Sequence, residues 1–496
     1  MKVGHGFPLL ALLAGCSDFE GAGPTDAGTD PDASPDAGGE DSGPSLPRIS
    51  AQPASTLEGA QRAAVDVFGE GFDMTGAVVT TPPEEDSVEI LEQRCNAVRC
   101  GLVVAARDTV PNDGRYSFPV PLHSELRNLH IAVGASEYLA PFTVFWLDDI
   151  THPGGGDPRG VRGTIFASSM NVAPDGVFEP SAAGSETVRW FVVGDALFRG
   201  SIDFSGAPAA GGTPGPALGG GGAGGAPGAA APGTGGGSDG GGGGYGTAGT
   251  DGAGTGGRVW GDADVSCLVD DDDRCGGSGG GGGASGGGGG GGGGILLAVL
   301  GDLDANGASL VSRGGAGAAD GGGGGSGGAI LVAANRILGR MTLDAAGGAG
   351  AGTGGLGGDG RVRVDEGTAA GADLDRTGVA YRGAAIDFDS LDLVPSDPDL
   401  TLPGNGEPGA TVEIRVCGPT GEGQFTCAGG VTTSGIVDVD GRFSVDVTLR
   451  PGLNRLYTRQ RLGGTTTPSL AGNAFDFTDQ NFNGVRVDVV LVSESE

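Results

Sequence analysis

Apolar residues along this chain gather in three regions of different rhythm. Between residues 47 and 150 they form short runs at 64–68, 87–91, 101–105, 116–120, 130–133 and 142–146. The runs alternate with polar residues or cluster, and Gly, Asn-Asp-Gly and Pro-Pro punctuate them, which predicts short antiparallel strands in a β-sandwich. Between residues 397 and 496 a period of two returns at 411–416, 435–439, 442–447, 454–457 and 485–491. There Asp440-Gly441 fits a tight hairpin turn. A second sandwich is expected.

The middle region, residues 156–380, has a longer repeat. Residues 190–193 are followed by 201–205 and then Gly206; residues 295–299 by 308–312 and Gly314-Gly315; residues 329–332 by 341–344 and Gly347-Gly348. Each copy reads strand, turn, strand, glycine-rich loop. A weaker first copy lies at 164–167 with 170–172, and residues 361–364 fit a later rung. Units that cannot bury a face alone must stack on their neighbours. The predicted fold class is therefore all-β, with an irregular, glycine-rich, right-handed parallel β-helix between two immunoglobulin-like sandwiches. The glycine runs leave the helix as loops.

Glycine supplies 109 of the 496 residues, and residues 276–294 are broken only by Ser278, Ala284 and Ser285. No Gly-X-Y period is present, which excludes collagen. Glycine pays the largest backbone entropy on ordering, so residues 207–255 fit either a flexible linker or packed glycine chains. The net charge of −34 argues against nucleic acid and anionic lipid as partners, because both need basic patches; Lys2 is the single lysine, and every other base is arginine.

The N-terminus carries Lys2, an apolar run from Phe7 to Ala14, and then Leu13-Ala14-Gly15-Cys16. The run is too short to span a bilayer. These residues resemble the lipobox of bacterial lipoproteins. The resemblance implies a signal peptide at 1–15, cleavage before Cys16, and acyl chains on Cys16 that anchor the protein in a membrane. Ser17, rather than aspartate, follows Cys16, which in that family points to the outer membrane. Residues 16–46, rich in Asp, Ala, Gly and Pro, lack the apolar surface to fold and read as an acidic tether.

Three further resemblances follow from local motifs. Residues 67–72 (Val-Phe-Gly-Glu-Gly-Phe) resemble a turn of TIG-like immunoglobulin domains. Residues 406–412, 440–444 and 451–454 resemble the repeated phrases of bacterial immunoglobulin-like modules. Residues 324–331, 343–348 and 357–364 resemble glycine-rich β-helical surface proteins of Gram-negative bacteria. The immunoglobulin-like modules imply spacers or adhesive units, whereas the β-helical resemblance implies an architecture and not an activity.

Candidate chemistry is sparse. Besides Cys16, the cysteines form close pairs: Cys95 and Cys100, Cys267 and Cys275, Cys417 and Cys427. With an export signal and no zinc-ribbon spacing, disulfides are expected rather than metal ligation. Asp302, Asp304 and Asn306, and again Asp479, Asn481 and Asn483, copy the first half of a calcium loop. Arg313 and Val490 stand where its closing glutamate belongs, so at most a simple calcium turn is left. Asp270 to Asp273 form an acidic cluster inside the Cys267–Cys275 loop. Asp203 and Asp344 hold equivalent repeat positions, with Val311 between them, where a polysaccharide-degrading enzyme would need stacked carboxylates. His123, His130 and His152 accompany no nucleophile motif. The expectation is a non-enzymatic, lipid-anchored envelope protein, exposed at the cell surface, with a structural or adhesive role and a surface glycan or protein as partner. No cofactor is required. The alternative is a polysaccharide-binding or polysaccharide-degrading β-helix protein.

Overall fold

The computed structural model describes residues 48–493 except 53–54, 58–62, 72, 82–87, 107–121, 148–149, 156–157, 168, 182–185, 193, 262–264, 269–274, 368–372, 390, 422–423, 427–431, 463–464, 468–473 and 476–484. Cys16 with its tether, the cluster at 270–273, Cys427, Asp479, Asn481 and Asn483 lie outside the described residues. The protein is nearly all β, with large parallel sheets. Among the described residues no helix is long and apolar enough to cross a membrane.

The middle region is a parallel stack with three faces. Its first face carries Gly163–Ala167, Val188–Val192, Gly294–Asp304, Ala329–Leu338, Arg361–Glu366 and Val379–Ala384, each parallel to the next. The register runs from Val188 to Ile295, Ile330 and Val362. A second face carries Ile150–His152, Met170–Val172, Ala196–Phe198 and the far ends of the two long strands. The third carries Arg159–Val161, Val177–Pro180, Ser201–Asp203, Ala308–Val311, Arg340–Asp344 and Asp373–Thr377. Alternate residues of each strand point inward, because side chains alternate across a strand. They form one core through the stack, from Phe178, Trp190 and Phe198 to Leu297, Leu310, Val332 and Val364. Each such aliphatic side chain contributes about 1.5–3 kcal/mol when fully buried.

Two β units flank the stack in sequence. The N-terminal unit has two four-stranded sheets, ordered Arg48–Gln52, Ala63–Glu70, Arg99–Ala106, Val88–Cys95 and Ser55–Leu57, Ser136–Leu147, Leu122–Val133, Val78–Thr80. Val65, Val67, Leu102, Leu129 and Ile131 fill its core. The C-terminal unit sets Asp387–Phe388, Asp399–Asn405 and Arg442–Thr448 against a larger antiparallel sheet built on Thr411–Gly421 and Gly452–Leu462. Arg442–Thr448 alternates cleanly, with Phe443, Val445 and Val447 buried and Ser444, Asp446 and Thr448 exposed.

The two flanking units also meet each other. Ala64 and Val103 belong to the same core as Val394, Val490 and Val492 of the C-terminal unit. This explains why residues 63–67 and 100–104 are buried on both faces, against the alternation expected of a sheet with one face in water.

Candidate functional site: a polyglycine lattice beside the stack

The glycine runs do not hang from the stack as independent loops. Residues 204–260, 276–293, 313–328 and 345–360 fold into short extended segments that leave the ends of the strands and lie side by side. The segment at 287–293 shows the rule. The N–H groups of Gly287, Gly290 and Gly293 donate to the carbonyls of Gly211, Ala207 and Phe204; those of Gly288 and Gly291 to Gly225 and Gly222; those of Gly289 and Gly292 to Gly323 and Ser326, all at 2.8–2.9 Å. Its own carbonyls accept from Gly215, Gly277, Gly280, Gly315 and Ala318. Every third residue thus addresses the same neighbour, and the segment is enclosed on all sides. A three-residue turn is the geometry of the polyproline-II helix, which has no internal hydrogen bonds and must direct its backbone groups outward.

Residues 322–328 repeat the pattern. Gly322, Gly325 and Gly328 donate to Ala318, Gly315 and Ser312, Gly323 and Ser326 to Gly281 and Ser278, and Gly324 and Gly327 to Gly355 and Gly358. The result is a hydrogen-bonded lattice that orders residues 207–255 along with the rest. Glycine is required by sterics here. A Cβ on Gly288 would run into the Gly280 carbonyl, one on Gly289 into Gly315, and one on Gly290 would lie 2.6 Å from the Pro216 oxygen. Segments with a free side tolerate other residues: Pro208, Pro214, Pro216, Pro227 and Pro232 all fall between residues 204 and 234, at the rim. Each Pro sacrifices an N–H and already holds a compatible φ.

Side chains in the lattice concentrate at its turns. Gly287 N–H to Gly211, Gly228 to Gly283 and Gly355 to Gly240 place the turns at one end, far from the strands. There Ser285 Oγ donates to Asp320 at 2.9 Å, and Ser238 and Thr255 join their hydroxyls at 2.9 Å. Asp239, Asp251, Asp320, Ala284, Ser285 and Thr353 are exposed. Residues 206–257, 276–312, 314–335 and 345–360 contain no lysine, arginine or histidine, so this end is uniformly acidic.

Where the lattice meets the stack, Tyr245 is fully buried with Cys267, Cys275, Leu296 and Leu331. Trp260 Nε1 lies 2.9 Å from the Gly244 carbonyl and 2.7 Å from Ser278 Oγ. Arg361 stacks over the Tyr245 ring at 4.8 Å. The outward apolar residues of the first face are thereby covered, and the Cys267–Cys275 disulfide closes the cover. Cys95 and Cys100 are also bonded, and Cys417 is disulfide-bonded.

The acidic candidates on the stack carry arginine partners. Asp302 pairs with Arg336 and accepts from Asn335; the Arg336 hydrogen bond holds its carboxyl below the usual range. Asp304 pairs with Arg199 at 3.2 Å, and Asn306 follows on an exposed turn. Asp203, Val311 and Asp344 stand in register on the third face, about 9.5 Å from first to last at two strand spacings. The Arg313 guanidinium caps Asp344, and that bond raises the Arg313 pKa. Among the described residues no group of three or more His, Cys, Asp or Glu is placed to hold a metal ion. His130 is exposed on its strand. His152 is buried against Phe178, and burial pushes its pKa below the ordinary 6.5. His123 lies in Leu122–Val133.

One buried ionic group went unnoticed in the sequence. Arg363, fully buried, bonds Asp365 at 2.8 Å, lies 3.6 Å from Glu407 of the C-terminal unit, and stacks on Tyr381 at 4.9 Å. Tyr381 donates to Glu407, and burial pushes its hydroxyl pKa up. The alternation of Arg361, Arg363 and Asp365 with Val362 and Val364 was a signal for this, since it puts three charges on the covered side of one strand. No family model, characterised protein or solved structure matches this chain.

Proposed function

We propose that this chain is an exported envelope lipoprotein, anchored through Cys16 and held off the membrane by the acidic tether at 16–46. In this reading the parallel stack is a right-handed β-helix, and the flanking units are immunoglobulin-like sandwiches. The role is structural or adhesive and not enzymatic. The observation that carries the proposal is the lattice itself. Its interior is mostly backbone, fixed by sterics to glycine, with Ser278 and Ser326 buried and hydrogen-bonded inside it, and its exposed side chains gather at its turns. Such a body is suited to holding a small polar end face rigidly away from the stack. It is poorly suited to assembling a catalytic constellation, which needs convergent side chains from several elements. The disulfides at Cys95–Cys100 and Cys267–Cys275 fit an oxidising compartment.

The partner-facing surface in this reading is the acidic, hydroxyl-bearing turn end around Asp239, Ser285, Asp320 and Thr353. Protease shaving of intact cells, with mass analysis of the N-terminal peptide, tests it. The expected result is release of folded fragments from the cell surface and acyl mass on Cys16. An unmodified Cys16, or a protein untouched by protease in intact cells and released only on lysis, would sink the anchored surface reading.

A further inference from the structure

We propose that the C-terminal β unit is a late-closing clasp for the N-terminal unit, so that its strands Ala63–Glu70 and Arg99–Ala106 reach their final packing only when residues 485–493 are in place. The seam between the two is built like a core. Gly101 has no room for a side chain: an added Cβ would overlap Val394 and lie 2.8 Å from Val492 Cγ2 and 3.2 Å from Val490 Cγ1. All three clashing atoms belong to the C-terminal unit, and none to the unit that holds Gly101. Asn96 Nδ2 donates to the Ser493 carbonyl at 2.6 Å, and Arg94 donates to the Val394 carbonyl. The Cys95–Cys100 disulfide closes the turn that presents these groups.

A buried ion pair adds to the dependence. Arg99 and Asp66 meet at 2.6 Å, almost fully buried, with Gly452 of the C-terminal unit packed directly against them. Gly452 sits at φ +92°, and a Cβ there would lie 2.9 Å from Asp66 Oδ2. Without the C-terminal unit this pair faces water, and the outer apolar side of Ala64 and Val103 has nothing to cover it. The stack and the lattice separate the two halves of the seam in sequence. A chain delivered from its N-terminus therefore holds its first unit incomplete until its last strand arrives. Long-range contacts of this kind form late, because loop-closure entropy opposes them until the intervening chain is compact.

Hydrogen exchange on the full, oxidised chain tests the clasp. In pulse-labelled refolding, amides in 99–106 and 485–491 should gain native protection in one common phase. In the native state, Gly101→Ala should speed exchange in both segments at least tenfold and leave 295–299 and 330–334 of the stack unchanged. Val492→Ala, which removes packing from the C-terminal side without adding volume, should speed exchange in 99–106 as well as in its own unit. Native protection of 99–106 ahead of 485–491 overturns the proposal. So does either substitution acting on its own unit alone, or Gly101→Ala stripping protection from the stack as well.

Discussion

Gly289→Ala is the sharpest probe of the lattice. A methyl at this position would approach the Gly315 carbonyl far closer than the 3.0 Å that real Cβ atoms respect. Relief requires the segments at 287–293 and 313–318 to part by about 1 Å, because their backbones have no flexible side chain to yield. That movement stretches the bonds from Gly315 to Gly290 and from Ala318 to Gly287, now 2.8 and 2.9 Å, beyond useful range. Each lost bond costs about 1 kcal/mol net, and up to about 3 if a buried group is left unpaired. The lower entropy of an unfolded alanine returns about 0.4–1 kcal/mol. A net loss of about 2–4 kcal/mol is expected. Gly212→Ala is the control: its Cβ would meet nothing closer than 3.5 Å, and its φ is not in the left-handed region. Native-state exchange is the appropriate assay, because a chain of several units need not unfold in one step. Amides in 276–283, 287–293 and 313–318 should exchange about 100-fold faster in Gly289→Ala and at the parental rate in Gly212→Ala. Equal behaviour of the two variants would refute steric exclusion as the reason for glycine.

Other expectations are simpler to check. His152 has its folded pKa depressed by burial, so its contribution is complete above about pH 6.5 and is lost as pH falls below that value. His152→Phe should flatten the acid side of the stability curve, measured by denaturant titration between pH 4 and 7. Asp387 behaves oppositely: burial raises its pKa to about 6, so stability falls as pH rises from about 4 to 6. Asp387→Asn should remove that fall and stabilise the protein at pH 7 by up to about 3 kcal/mol, roughly two pKa units. The double substitution Cys267→Ser with Cys275→Ser should cost about 2–3 kcal/mol by loop entropy. It should also open the cover over Leu296 and Leu331, read as faster tryptic cleavage after Arg258.

The order of the rungs was legible because they obey a hydrophobic rhythm, but their register was not: the repeat set residue 190 beside 295 and 329, whereas Ile295 pairs with Val188 and Ile330. The lattice was not legible, because polyglycine has no apolar pattern to read and its order comes from backbone bonds alone. Its visible traces were subtler. Prolines cluster before residue 234 and then vanish until Pro395, and the purest glycine lies at 286–294, the segment later found enclosed on all sides. The seam between the flanking units was also hidden. Ala64, Gly101 and Val103 read as ordinary strand residues, and nothing local announces that Val394 and Val492 lie over them. Of the candidate site residues, Asp302 and Asp304 read as a turn between strands, yet the strand Gly294–Asp304 runs through both, and the arginines that neutralise them, Arg336 and Arg199, come from other rungs.

The threefold turn of the lattice gives each segment a phase, much as a reading frame does for a message. Inserting or deleting one glycine within 287–293 would rotate every later N–H by about 120°, aiming all donors beyond that point at the wrong neighbours. Removing three would shorten the segment by one turn, about 9 Å, and leave every remaining donor in step. Length changes in the enclosed segments are therefore permitted in threes and forbidden otherwise. At the proline-bearing rim, where one side of each segment faces water, the rule relaxes, and the lattice can gain or lose chain there without disturbing its centre.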